Sequence, residues 1–147
     1  MKSIVPQQIL QFNQMYKEYN DIYQQAARNF DMPTVSFWLI YVLRQKNVCT
    51  QKDFMEQLYY PKQTINSALK LLEKRGYVTL ERSEADRRSK LIHLTETGLA
   101  FARDTADKII RAENAAFARL TESERDTFLS LFERLSAVLH DEMQTVE

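Results

Sequence analysis

Residues 50–94 read TQKDFMEQLYYPKQTINSALKLLEKRGYVTLERSEADRRSKLIHL. Thr50 precedes a short helical run and has Asp53 three residues on, a capping-box-like spacing. Phe54 and Leu58 fall on one face of that run, and Tyr59-Tyr60-Pro61 breaks it. A second helix follows with Ile65, Leu69 and Leu72 on one side. Gly76 stands where a left-handed residue closes a helix. The period then switches to two. Val78 and Leu80 alternate with Thr79 and Glu81, and Ile92 and Leu94 with Leu91 and His93, around the charged residues 83–89. This predicts a β-hairpin with a charged tip.

Upstream, Ile9, Phe12, Tyr16, Tyr19, Tyr23 and Ala26 recur at steps of three and four, one face of a helix from Gln7 to about Asn29. Asp31-Met32-Pro33 interrupts, with Pro33 suited to open a new helix. That helix, to about Gln45, is apolar nearly all round (Phe37, Trp38, Leu39, Ile40, Val42, Leu43), the pattern of a central, buried element. Downstream, Thr95 caps one long helix with Leu99, Ala102, Ala106, Ile109, Glu113 and Phe117 along one side. Thr121 and Glu124 form a second capping box and open a last helix with a stripe of Phe128, Leu131, Leu135, Val138 and Leu139. The expected fold is mainly α with a small β-hairpin wing. It is a single domain over 1–147, with a winged helix-turn-helix at 33–95 and a helical dimerisation region at 1–30 and 96–147.

Composition narrows the function. The chain has 147 residues, 44% hydrophobic and 27% charged, typical of a soluble globular domain with a real core. Two glycines stand where average usage of ~7% would give about ten, which argues against phosphate-cradling loops. One cysteine excludes an internal disulfide and a multi-cysteine zinc site, and two histidines make a metal cage a poor expectation. No metal or cofactor is expected. The longest apolar run, residues 37–43, is far short of the ~20 residues of a membrane span. With no secretion signal in the first ten residues, a cytoplasmic protein with a reduced thiol and no membrane association is expected.

Lys plus Arg equals Asp plus Glu at 20 each, yet the charge is graded. Residues 61–95 carry 8 basic and 4 acidic side chains, and residues 96–147 carry 6 and 11. Such asymmetry suggests a polyanion-facing surface in the middle of the chain, beside the plainer reading of ordinary surface variation.

The hairpin and the helix before it suit duplex DNA. The major groove admits a helix whose first residues reach base edges. Here that helix opens with Lys62, Gln63, Thr64, Asn66 and Ser67, and Lys70 extends the polar face toward a phosphate. The tip supplies Arg87, Arg88 and Lys90, and arginine on a narrow protrusion can enter the minor groove. Asp86 would repel phosphate, so it is read as a partner orienting Arg88 or the turn backbone. A polar helix face alone is usually just solvated. The two features in tandem, in this order and spacing, point to double-stranded DNA.

At these residues the chain resembles the MarR/SlyA family of winged helix-turn-helix transcriptional regulators. Residues 86–98, DRRSKLIHLTETG, look like the family's D-x-R wing signature and its L-T-x-x-G entry to the next helix. Residues 71–78, LLEKRGYV, are similar to its L-E-x-x-G-hydrophobic ending of the recognition helix. The resemblance implies homodimers on pseudo-palindromic operators, usually as repressors, with Arg88 and Arg87 entering the minor groove. Tyr59-Tyr60-Pro61 departs from the small residue or glycine common in that turn, which bears on the helix's approach angle. Met32-Pro33-Thr34 departs from the commoner Leu-Thr opening of the second helix.

The apolar stripes of three long helices exceed what a small monomer readily buries. Ile4, Val5, Ile9 and Phe12 at one end, and Leu135, Val138, Leu139 and Met143 at the other, suit a bundle shared between two copies. Many family members bind small aromatic acids, and Tyr16, Tyr19, Tyr23, Trp38 and Tyr41, with Arg44 or Arg28 for a carboxylate, are candidates for such a phenolic effector. Aromatic stripes are more often core. Some relatives sense peroxides through a cysteine in the first helix, but here Cys49 sits in the connection before Thr50 and reads as a small buried residue. Two rival functions remain. An enzyme lacks a convergent catalytic set, since neither His93 nor His140 has a motif-level partner. A helical protein-interaction module with a winged domain that does not bind DNA predicts no salt-dependent duplex binding.

Overall fold

The computed structural model describes residues 7–86 and 88–146. These residues form seven helices and one three-stranded sheet, and the chain divides into two compact units, Met1–Ile109 and Ile110–Glu147.

In the first unit, α1 (Gln7–Arg28) leads through Pro33 into α2 (Thr34–Lys46). Phe37, Leu39, Ile40 and Leu43 of α2 are fully buried, and α2 packs on α4, α5, β3 and α1 as the central element. Each such side chain taken from water contributes about 1.5–3 kcal/mol before entropy costs. The core is completed by Phe54 of α3 (Gln51–Leu58), by Ile65, Leu69 and Leu72 of α4 (Lys62–Lys74), and by Val78 and Ile92 of the hairpin.

Both helix starts expected at Thr50 and Thr121 carry reciprocal capping boxes. Gly76 closes α4 at φ +75°, with Tyr77 N–H donating to Leu72 O (2.9 Å) and Gly76 N–H to Glu73 O (3.0 Å). Those two bonds satisfy carbonyls that the helix end leaves open. Strands β2 (Val78–Arg82) and β3 (Lys90–Leu94) pair antiparallel from Val78↔Leu94 to Arg82↔Lys90.

Two expectations need correction. Cys49 is not in an irregular connection: Val48–Thr50 forms β1, which pairs antiparallel with β3, so the sheet order is β1-β3-β2. Three residues are too few to show a period. The helix after Thr95 is also not continuous. It runs as α5 (Glu96–Asp104) and α6 (Ala106–Phe117), broken at Thr105 (φ −127°, ψ −78°). The buried Thr105 hydroxyl donates to Phe101 O at 2.7 Å, a local bond that competes with the helix ladder.

Gly98, in the first turn of α5, sits where a Cβ would lie 2.0 Å from the Tyr77 carbonyl oxygen. Thr95 donates its backbone N–H to Tyr77 O (3.0 Å) and its hydroxyl to Gly76 O (2.5 Å). These contacts account for glycine in the L-T-x-x-G stretch: the backbone of α5 must approach the start of β2 closely.

The second unit holds α7 (Glu122–Met143), on which no residue is buried. Arg125 ties its first turn to the preceding loop by donating to Phe117 O (3.1 Å) and Leu120 O (2.6 Å). No helix among the described residues is long and apolar enough to cross a membrane.

Candidate nucleic-acid interface

Helix α4 is positioned by its inward face, Ile65, Ala68, Leu69 and Leu72, all buried. Helical geometry then turns Lys62, Gln63, Ser67 and Lys70 outward, and all four are exposed. Thr64 and Asn66 are half-buried. Ser67 is not wholly available to a partner, because its hydroxyl donates to Gln63 O at 3.0 Å.

The wing tip is ordered by Asp86. Its Oδ1 accepts the Arg88 backbone N–H (3.0 Å) and its Oδ2 the Ser89 hydroxyl (3.3 Å). Its carbonyl accepts Ser89 N–H (3.0 Å), and Ser83 N–H donates to Ser89 O (3.0 Å), extending the ladder past Arg82. Of its two expected partners, Asp86 engages the turn backbone. Arg88 is left exposed, and Arg87 lies outside the described residues.

A concave groove of about 460 Å³ lies between α3, α4 and the wing, lined by Lys62, Asn66 and Lys70 on one wall and Arg88 and Lys90 on the other. Of its five cations, Lys62, Lys70, Arg88 and Lys90 take part in no salt bridge among the described residues, whereas Lys52 is 3.7 Å from Glu56. Glu73 is the one carboxylate lining it among the described residues. The groove therefore concentrates unpaired positive charge on one concave face, an arrangement that attracts polyanions. The residue sequence reasoning missed is Gln51, whose amide nitrogen donates to Asn66 Oδ1. No local pattern signals that contact, which depends on how α3 packs against α4.

The proposed effector residues are only partly brought together. Tyr23, Trp38 and Tyr41 form a ring cluster, with centroids 5.7 Å apart for Tyr23–Trp38 and 5.2 Å for Trp38–Tyr41. Trp38 is buried, and the Tyr19 and Tyr23 hydroxyls are 3.2 Å apart. Tyr16 and Tyr19 are about half exposed, each at 51%. Arg44, a candidate partner for an effector carboxylate, is already paired within the protein. Its Nε and Nη2 bind the two Asp107 carboxylate oxygens at 2.7 and 3.1 Å, and that bond raises its pKa. A bidentate partner already neutralises it.

His93 Nε2 is 3.7 Å from Glu81, and His140 Nδ1 is 3.6 Å from Asp141. No group of three metal-ligating side chains occurs among the described residues.

The profile of the MarR family matches residues 30–89, from α2 through the wing tip. An uncharacterized HTH-type transcriptional regulator of Bacillus subtilis (strain 168) is 27% identical over 99 residues, 67% of this chain and 71% of that protein. The organic hydroperoxide resistance transcriptional regulator of the same organism is 33% identical over 94 residues, 64% of this chain and 61% of that protein. Among solved structures, a MarR family regulator from Neisseria meningitidis superposes with a TM-score of 0.84 at 23% identity, covering 97% of this chain and 100% of that one.

Proposed function

Because the chain belongs to the MarR family of transcriptional regulators, we propose that it is a homodimeric repressor of a pseudo-palindromic operator, with α4 in the major groove and Arg88 in the minor groove. Members of this family regulate transcription and are not enzymes. The observation that carries the finer reading is the groove: α4 and the wing present Lys62, Lys70, Arg88 and Lys90 on one concave face, none of them in a salt bridge. Two-fold symmetry places a pair of such faces about one DNA turn apart.

A regulator that neutralises on the order of 6–10 phosphates loses orders of magnitude in affinity between low and moderate salt. Arg88→Ala should weaken binding across all sequences, whereas changes at Gln63 should shift base preference by about 1–3 kcal/mol per contact. Salt titration of binding to a selected duplex checks this. Salt-independent binding would favour the protein-interaction module, and an unchanged Arg88→Ala would reject the wing's role.

A small phenolic effector held against Tyr16, Tyr19, Tyr23, Trp38 and Tyr41 completes the proposal, with Arg28 or Arg44 meeting its carboxylate; Arg28 is exposed and Arg44 is shared with Asp107. Thermal shifts against a panel of phenolic acids test it, and no shift with any member rejects it.

A further inference from the structure

Gln51 is the first residue of α3, and Asn66 lies one turn into α4. Fifteen residues apart in sequence, they meet at the groove wall, where Gln51 Nε2 donates to Asn66 Oδ1. The same nitrogen lies 3.5 Å from the Lys62 carbonyl oxygen. A backbone carbonyl can only accept, so the Gln51 atom beside it is the amide nitrogen. The Asn66 atom facing that nitrogen must then be its oxygen. Asn66 is thereby polarised. Its acceptor is engaged by α3, while its NH₂ has no protein partner among the described residues.

An unconstrained asparagine pairs adenine in two places, donating to N7 and accepting from N6. Asn66 with its oxygen turned to Gln51 offers the groove chiefly its donors, one of the oxygen's two acceptor sites being already engaged. We propose that Gln51 is a positioning residue for base recognition: it holds the Asn66 amide donor-outward. The base favoured opposite Asn66 is then guanine or thymine, whose major-groove edges present acceptors at N7 and O6 or at O4, over adenine, whose N7 acceptor stands beside the N6 donor. This assignment rests on the DNA-reading function proposed above and goes further, naming the base class at one operator position. Among the described residues, neither the wing nor Gln63 is hydrogen-bonded to the amide pair.

The test is selection of bound sequences from random duplexes with the full-length protein. Asn66→Ala first identifies the operator position at which preference is lost. At that position the wild type should enrich guanine or thymine over cytosine on the order of tenfold. Gln51→Glu presents only acceptors, so it draws the Asn66 NH₂ inward and turns the oxygen out. Preference there should move to adenine or cytosine, whose edges donate. Gln51→Met should flatten preference at that position and leave every other position as in the wild type. Those unchanged positions, with an unchanged melting temperature, separate positioning from a loss of fold. The assignment is overturned if both Gln51 variants keep the wild-type preference there, or if the wild type selects adenine or cytosine. A wild type that enriches no sequence would remove the DNA-reading function itself and this inference with it. An intact operator with an unmoved position would remove this inference alone.

Discussion

Cys49 is 1% exposed in β1, opposite Ile92. Burial pushes its thiol pKa up to about 11, the Asp53 charge adds to the rise, and Lys46 opposes it. The thiolate is the reactive form, so this side chain is a poor redox sensor even though one relative is named for organic hydroperoxide resistance. Peroxide should leave DNA binding intact, and a thiol-specific disulfide reagent at pH 8 should react far more slowly with the folded than with the denatured protein. Rapid labelling of the folded chain would contradict this. The raised pKa also has a stability consequence. Between about 9 and about 11 the folded thiol keeps its proton while the unfolded one releases it, so stability falls as pH rises through that window. Cys49→Val should lack that component of the alkaline loss in melting temperature. Burial at Cys49 was legible as a preference of the residue type. Its place in a strand was not, because β1 exists only through its pairing with β3.

At the scale of elements, most boundaries follow from local chemistry. The box opening α3 has Asp53 N–H donating to Thr50 Oγ1 (3.2 Å) and Thr50 N–H donating to Asp53 Oδ2 (2.7 Å). That backbone bond is the largest cause of an Asp53 pKa held below its usual value; burial opposes it, and the Thr50 hydroxyl and Lys46 and Lys52 support it. The folded carboxyl stays ionised at a pH where the unfolded one takes up a proton. Its contribution is therefore present above the ordinary aspartate pKa and is lost as pH falls through the depressed folded value. Thr50→Ala should cost about 1 kcal/mol at neutral pH. Asp53→Ala should be less stable than wild type at pH 7, by a margin that narrows on acidification. Melting curves across pH check both, and a constant margin would deny the carboxylate this role. The same local logic located Gly76 and the hairpin. It failed at Thr105, where the sequence period continues through a break made by a buried hydroxyl. It could not foresee Arg44 either, whose partner Asp107 is 63 residues away.

At the scale of the molecule, apolar surface remains exposed. On α1, Ile9, Leu10, Met15, Tyr16, Tyr19 and Ile22 are 48–66% exposed, and on α7 the Phe128, Leu131, Leu135, Val138 and Leu139 side chains are 47–58% exposed. Apolar surface of this extent marks an interaction site, and the proposed second copy is what would cover it. Ile4 and Val5, expected to join that bundle, lie outside the described residues. Leu135→Glu with Leu139→Glu should shift the protein from dimer to monomer in sedimentation and reduce operator affinity, since each monomer then grips only a half-site. A double variant that stays dimeric would place the contact elsewhere.

The resemblance to the MarR family, the helix-wing order and the cationic residues of the groove were legible because caps, glycine closures and hydrophobic period act over a few residues. Which side chains are already engaged was settled only by tertiary structure. Arg44 is paired with Asp107, Asp86 braces the wing's backbone, and Asn66 accepts a bond from Gln51. Two of these three contacts join residues far apart in sequence, and a hydrogen bond's direction depends on which groups packing brings within 3 Å, which local pattern does not encode.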